Sequence, residues 1–201
     1  MAFLPLNLDT DSFSLPPPHL APASLESALR SRRSTRSFRP DALSTEELSS
    51  ILWAAFGVNR PDSGGRTAPS AHDWQEILVY AVVQEGTWRY DAKAHRLDLV
   101  RGGDLRAATG TQDFAGEAPL NLVYVADFER MPQSQEEDRA FLAGADSGFV
   151  AQNVYLYCAC AGLSTVVRAL IDRRHLAQAL GLKPTQRIAL AQSVGHSGIA
   201  L

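Results

Sequence analysis

The sequence predicts an α+β domain, on three observations. Hydrophobic residues make up 45% of the 201-residue chain and charged residues 20%, enough to close a core within one compact unit. Runs with two-residue alternation and runs with helical spacing both occur, and they follow one another without the strict alternation that a doubly wound parallel sheet requires. The one compositional break is SLPPPHLAP (14–22), whose prolines exclude a helix and favour an extended path. Residues 1–23 are therefore expected to form an extended arm, and residues 24–201 a single domain.

In chain order, Ser24 is placed to cap a short helix that ends near Ser31. Ser44 and Glu47 have capping-box spacing ahead of apolar positions 48, 51, 52, 55 and 56, which predicts a second helix stopping at Gly57. Residues 59–72, NRPDSGGRTAPSAH, form a loop by every turn criterion and are long enough to suggest a functional role. Strands are expected at 76–83, 87–91 and 96–100, the last with clean alternation of Leu97 and Leu99 against Arg96 and Asp98. A polar, helix-like stretch at 104–109 precedes a buried strand at 119–126. Residues 136–163 contain no proline and turn apolar on nearly all sides, which predicts a central core helix. Ala143, Gly144, Ala145, Ser147 and Gly148 on that helix would let another helix approach closely. Gln152 and Asn153, inside the same helix, are expected as hydrogen-bonded core residues. A helix at 172–180 closed by Gly181 and a strand at 187–194 complete the series.

Charge narrows the function. RSRRSTRSFRP (30–40) places five of the 17 arginines within ten positions, yet the chain carries a net charge of −3. A nucleic-acid binder is usually basic over the whole domain, so a small anionic ligand fits this cluster better. Cys158 and Cys160 are too close for an ordinary framework disulfide and have no second pair for zinc, which fits a reducing compartment. The opening MAFLPLNLDTDSF lacks an export leader's charged and apolar regions, and no apolar run of membrane-spanning length exists; a cytoplasmic protein with no membrane partner is expected.

The glycines offer neither a dinucleotide fingerprint nor a P-loop. Gly195-His196-Ser197-Gly198 misses the nucleophile-elbow spacing. The histidines lack metal-ligand spacing, and His95 and His175 are expected as exposed residues at a strand end and on a helix face. An arginine loop, a long Gly/Pro/Ser loop and no evident acid, base or nucleophile suit an enzyme whose chemistry is carried by a bound cofactor. Arginine forks grip a phosphate bidentately, and Ser34 adds a hydroxyl.

Several segments, in order, resemble the FMN-dependent nitroreductase family: RRSTRSF (32–38), the helix text LSTEELSSILWAAFGVNR, RTAPSA (66–71), APLNLVYVAD (118–127), DSGFVAQNVYLYCACAGL and the closing SVGH (193–196). The resemblance runs collinearly from about Leu25 to His196. It looks closest to a proline-armed branch that includes the azoline dehydrogenases. It implies a central mixed or antiparallel sheet flanked by helices, in an intertwined homodimer that binds FMN. NADH or NADPH would be the electron donor, and a nitroaromatic, quinone or related small molecule the acceptor.

By motif, Arg32, Arg33, Ser34 and Arg36 would hold the phosphate and reach the flavin pyrimidine edge. Pro69, Ser70 and Ala71 would line the flavin from the partner subunit, and Gln112 would touch the ring edge. The backbone around Val167, Arg168 and Ala169 would face N5, and Gly195 with His196 would close on the phosphate end. The family's usual basic pair near the C-terminus is missing, since no Lys or Arg follows Arg187; either His196 substitutes or FMN is held more loosely. Alternatives are an azoline dehydrogenase, a non-catalytic flavin-binding protein, and a non-flavin anion-binding or nucleic-acid-binding module.

Overall fold

The computed structural model describes residues 10–20, 22–132 and 135–198. The elements are β1 (Ser12–Ser14), α1 (Leu25–Ser31), α2 (Thr45–Phe56), β2 (Val58–Arg60), β3 (Gly65–Arg66), β4 (Ile77–Val82), β5 (Gly86–Asp91) and β6 (Arg96–Gly102). They continue with α3 (Phe114–Glu117), β7 (Leu120–Asp127), α4 (Glu136–Ala161), β8 (Leu163–Arg168), α5 (Arg173–Leu180) and β9 (Gln186–His196). Among the described residues the main sheet has the order β1-β6-β5-β4-β7-β9-β8, and every neighbouring pair is antiparallel. The expected α+β class, with an antiparallel sheet flanked by helices, is what the chain forms.

Alternation along the central strands sorts the core into two layers. Val79 and Ala81 of β4 and Leu122 and Tyr124 of β7 face α2 and α4. Tyr80, Val82, Val123 and Val125 point the other way, onto Leu176 and Leu180 of α5. β7 is buried along its whole length, as expected for the strand with helices over both faces.

The helix starts follow their caps. Ser24 Oγ accepts from the Ser27 amide, and Ser44 and Glu47 close a reciprocal capping box. Gly162 (φ 70°) and Gly181 (φ 64°) end α4 and α5 in the left-handed region, where other residues pay a steric cost.

β8 is not among the strands expected from sequence, although Thr165, Val166 and Val167 form a β-branched run. A short apolar run straight after a helix does not differ in periodicity from more of the same helix. β1 pairs Phe13 with Leu97 across a long sequence separation, a contact that no local signal announces. The proline segment then follows its own chain: Ser49 Oγ donates to the Pro16 carbonyl at 2.6 Å, and the His19 amide donates to Ser50 Oγ at 2.9 Å.

Two expectations are corrected. α4 is buried on one side only. Phe141 (75% exposed), Gly144, Ala145, Gly148, Phe149 (48%) and Gln152 form an open face, and Asn153 is half-buried. Gln152 and Asn153 therefore sit away from the core, because they fall in line with Gly148 and Phe149 at i+4 spacing. His95 is not an exposed strand-end residue. Its Nε2 lies 3.0 Å from the Pro16 carbonyl and 2.8 Å from Ser49 Oγ, its Nδ1 lies 2.9 Å from the Tyr90 hydroxyl, and burial lowers its pKa. His175 is exposed, as expected.

Among the described residues no helix is long and apolar enough to cross a membrane, and no cluster of His, Cys, Asp or Glu could hold a metal ion.

Candidate functional site

The arginine loop begins where α1 ends, with the Arg32 amide closing the helix on the Ala28 carbonyl at 2.9 Å. It is then stitched to the sheet. The Thr35 amide donates to the Thr165 carbonyl on β8 at 3.0 Å, the Arg39 amide to the His196 carbonyl at 3.0 Å, and the Gly198 amide to the Ser37 carbonyl at 3.1 Å. Phe38 and Ser197 complete an isolated bridge. These contacts pin residues 32–38 between β8 and the end of β9, with the C-terminal end of α4 behind them.

The result is a cavity of about 750 Å³, lined by Arg33, Ser34, Thr35 and Arg36, by Tyr155 and Cys158 of α4, by Ser164 and Thr165 of β8, and by Ser197. No acidic residue is among its lining residues. Arg30 and Arg39, at the two ends of the run, are paired with Glu26 and Asp41. Among the described residues, Arg32, Arg33 and Arg36 have no carboxylate partner. Arg32 lies over the Tyr155 ring, 5.3 Å from its centroid. The chain thus neutralises the flanks of the run and leaves the centre positive, beside a wall of hydroxyls. Such a donor set is suited to a phosphate.

Tyr155 joins the two halves of this wall. Its hydroxyl accepts from the Val167 amide at 2.9 Å and shares a 2.7 Å hydrogen bond with Ser34 Oγ. Sequence reasoning missed it, along with Ser164, Thr165 and Ser197, because a tyrosine in an apolar helix reads as core. Burial pushes the Cys158 thiol up, so it stays protonated and is a poor nucleophile.

The remaining sequence-predicted residues divide. Gln112 is half-buried in a segment tied to the end of β8 by the Thr111 amide, which donates to the Leu170 carbonyl at 3.2 Å. Val167 is half-buried and Ala169 exposed, whereas Arg168 points its side chain into the interior. Gly195 is governed by packing: a Cβ there would come within 2.6 Å of Pro119 Cδ and 3.2 Å of Phe38 Cδ1. His196 turns toward Glu47, with Nε2 3.8 Å from Oε2.

Pro69, Ser70 and Ala71 do not line this cavity. The Ala71 amide donates to Asp146 Oδ2 at 2.8 Å, and Tyr155 lies roughly 13 Å further along the same helix. His72, Asp73 and Gln75 all have left-handed φ (51°, 53° and 50°), so the loop is a tightly specified turn. Beneath it, Glu76 is fully buried with no donor for either carboxyl oxygen. Desolvation, together with the adjacent Asp146, raises its pKa to about 7.

With this geometry in place, comparison with known proteins gives a consistent result. The nitroreductase family profile matches residues 29–196. A nitroreductase homologue of Methanocaldococcus jannaschii is 35% identical over 167 residues, which cover 78% of this chain and 83% of that protein. The crystal structure of a nitroreductase homologue from Ralstonia eutropha JMP134 superposes with a TM-score of 0.91 at 40% identity, over 100% of this chain and 96% of its own. The NADPH:FMN oxidoreductase of Vibrio harveyi, in complex with NAD+, shares the fold with a TM-score of 0.65 at 19% identity, over 87% of this chain and 69% of its own. A positive, hydroxyl-walled cavity at the edge of an antiparallel sheet thus coincides with full-length similarity in sequence and fold: the chain belongs to the nitroreductase family and is an oxidoreductase of the nitroreductase type.

Proposed function

We propose that this cavity holds FMN and that the chain passes electrons from NADH or NADPH to a nitroaromatic, a quinone or a related small acceptor. The observation that carries this reading is the charge pattern. Arg33 and Arg36 face a cavity without acidic lining, while their outer neighbours Arg30 and Arg39 are already paired with carboxylates. A dianionic phosphate supplies what that arrangement lacks, with each charge-assisted contact worth roughly 1.5–3 kcal/mol. The Vibrio enzyme, which shares the fold, is an NADPH:FMN oxidoreductase with NAD+ in its crystal, and so supports both the flavin and the nicotinamide parts of the proposal.

When bound, the flavin supplies the redox chemistry that no side chain here offers. The protein binds and orients it. Arg33 and Arg36 take the phosphate, Ser34, Ser164 and Ser197 offer hydroxyl donors, and Tyr155 fixes the separation between the arginine loop and β8. His196 is not among the residues lining the cavity, so the inner arginines are the cations that take the phosphate.

The open face of α4 supports a homodimer. Gly144 and Gly148 leave room above their Cα atoms, and Phe141 and Phe149 are exposed beside them. We infer that a second copy seated there completes the first copy's cavity with its own 69–71 loop.

The test is an absorbance spectrum of the purified protein, followed by anaerobic titration with NADH and with NADPH. A flavin band that bleaches with either nucleotide and returns with a quinone or nitroaromatic is expected. Protein that stays colourless after incubation with excess FMN overturns the proposal.

A further inference from the structure

Arg168 is 4% exposed, yet no carboxylate pairs with it among the described residues. Its guanidinium is held by neutral acceptors alone. Nη1 donates to the Thr109 carbonyl at 2.8 Å, Nη2 to Thr109 Oγ1 at 3.1 Å and to Asn121 Oδ1 at 2.7 Å, and Nε to Ser193 Oγ at 3.1 Å. The Phe114 ring lies 5.9 Å away. The acceptors are themselves fixed: Ser193 Oγ donates to Asn121 Oδ1 at 2.6 Å, and Asn121 Nδ2 donates to the Ala115 carbonyl at 2.8 Å, which aims the amide oxygen at the guanidinium. A Cβ on Gly110 would collide with Nη1, so the glycine keeps the space open.

Buried charges are normally paired, because leaving water is costly and an opposite charge offsets part of that cost. Here dipoles solvate the cation without neutralising it, and its field persists in a medium of low polarisability. Burial lowers its pKa to about 10, which keeps it protonated at neutral pH. The arrangement lies on the same strand as Ser164 and Thr165, which line the candidate site. Arg168 follows Val167, whose amide bonds Tyr155 in the cavity wall, and its side chain points to the opposite face of β8. That puts the charge within roughly 10 Å of whatever lies against the Val167 backbone.

We propose that Arg168 tunes the flavin from behind β8: its unneutralised charge favours the negative charge that the ring gains on reduction, and so raises the reduction potential. This rests on the FMN reading above. Hydride transfer moves two electrons and one proton together, so the nicotinamide ends one charge more positive and the ring one charge more negative. A fixed cation lowers the free energy of the second state relative to the first. Arg168 touches neither partner and acts through its field.

The test is the midpoint potential of bound FMN in the wild type and in Arg168→Gln, Arg168→Lys and Asn121→Asp. Gln removes the charge. Asp places a carboxylate where Oδ1 already accepts from the guanidinium, which neutralises the charge while keeping that contact. Both are expected to shift the oxidised–reduced equilibrium about tenfold toward oxidised, or ~30 mV for two electrons, as expected for a unit charge at this range. Lys, which loses the fork and keeps the charge only while protonated, should stay near the wild-type potential on the acid side of its own titration and fall toward the Gln value above it. Should the Gln protein fail to fold, Asn121→Asp carries the test alone. FMN-loaded Gln or Asp protein with the wild-type potential overturns the inference. Wild-type protein that takes up no FMN removes the site reading and this inference together.

Discussion

The hydroxyl of Tyr155 lies 2.9 Å from the amide nitrogen of Val167, so one cavity-lining side chain of α4 fixes the position of the β8 backbone beside it. The same oxygen reaches Ser34 at 2.7 Å and ties the arginine loop to the same point.

Tyr155→Phe leaves the Val167 amide without its acceptor and frees Ser34 to move. We expect a stability loss of about 1–3 kcal/mol in urea denaturation, the cost of an unsatisfied partly buried amide, together with weaker FMN binding in a fluorescence titration. Unchanged values in both assays would show that the hydroxyl does not organise the wall.

The inner and outer arginines should separate cleanly by mutation. Arg33→Ala and Arg36→Ala are each expected to weaken FMN binding by about 10- to 150-fold, the value of one charge-assisted phosphate contact. Arg30→Ala and Arg39→Ala remove exposed, ion-paired residues, and binding should stay within about twofold of wild type. Equal losses at all four positions would point to a diffuse field in place of a specific grip.

Glu76 makes stability depend on pH. Its folded pKa, raised to about 7 by burial and by Asp146, lies above the value of an unfolded glutamate, so the native state holds the extra proton. Its contribution is therefore complete below about pH 4.5 and is lost as pH rises toward 7. Glu76→Gln should flatten that slope and stabilise the protein at pH 8 by on the order of 2 kcal/mol, measured by thermal melts across pH. Parallel slopes in both proteins would assign the dependence elsewhere.

The open face of α4 gives a prediction about association. Phe149→Glu places a charge among Phe141, Gly144 and Gly148, and sedimentation should show the mass falling to that of one chain while the far-UV spectrum is kept. A dimer that survives this change places the contact on another surface.

Much of the fold was legible because its signals are local. Ser24, Ser44 and Glu47 cap where their spacing says they should, and Leu97 and Leu99 alternate as a strand does. The loop of Arg32, Arg33 and Arg36 stood out through charge density alone. What escaped depends on partners distant in sequence. β1 exists because Phe13 meets Leu97, and His95 is drawn inward by Pro16 and Ser49. Gln152 and Asn153 looked internal because α4 turns apolar on nearly all sides after its charged start, whereas only the packing shows which side is covered. Tyr155 and the neutral cage of Arg168 were hidden for the same reason: hydrogen-bonding roles within apolar text leave no periodic mark.

The 69–71 loop rests on Asp146, at a distance along α4 from the cavity around Tyr155. If each cavity is completed by the loop of another copy, the polypeptide's own abundance becomes a variable of its chemistry. Dilution would then silence the enzyme by parting intact subunits, before any of them begins to unfold.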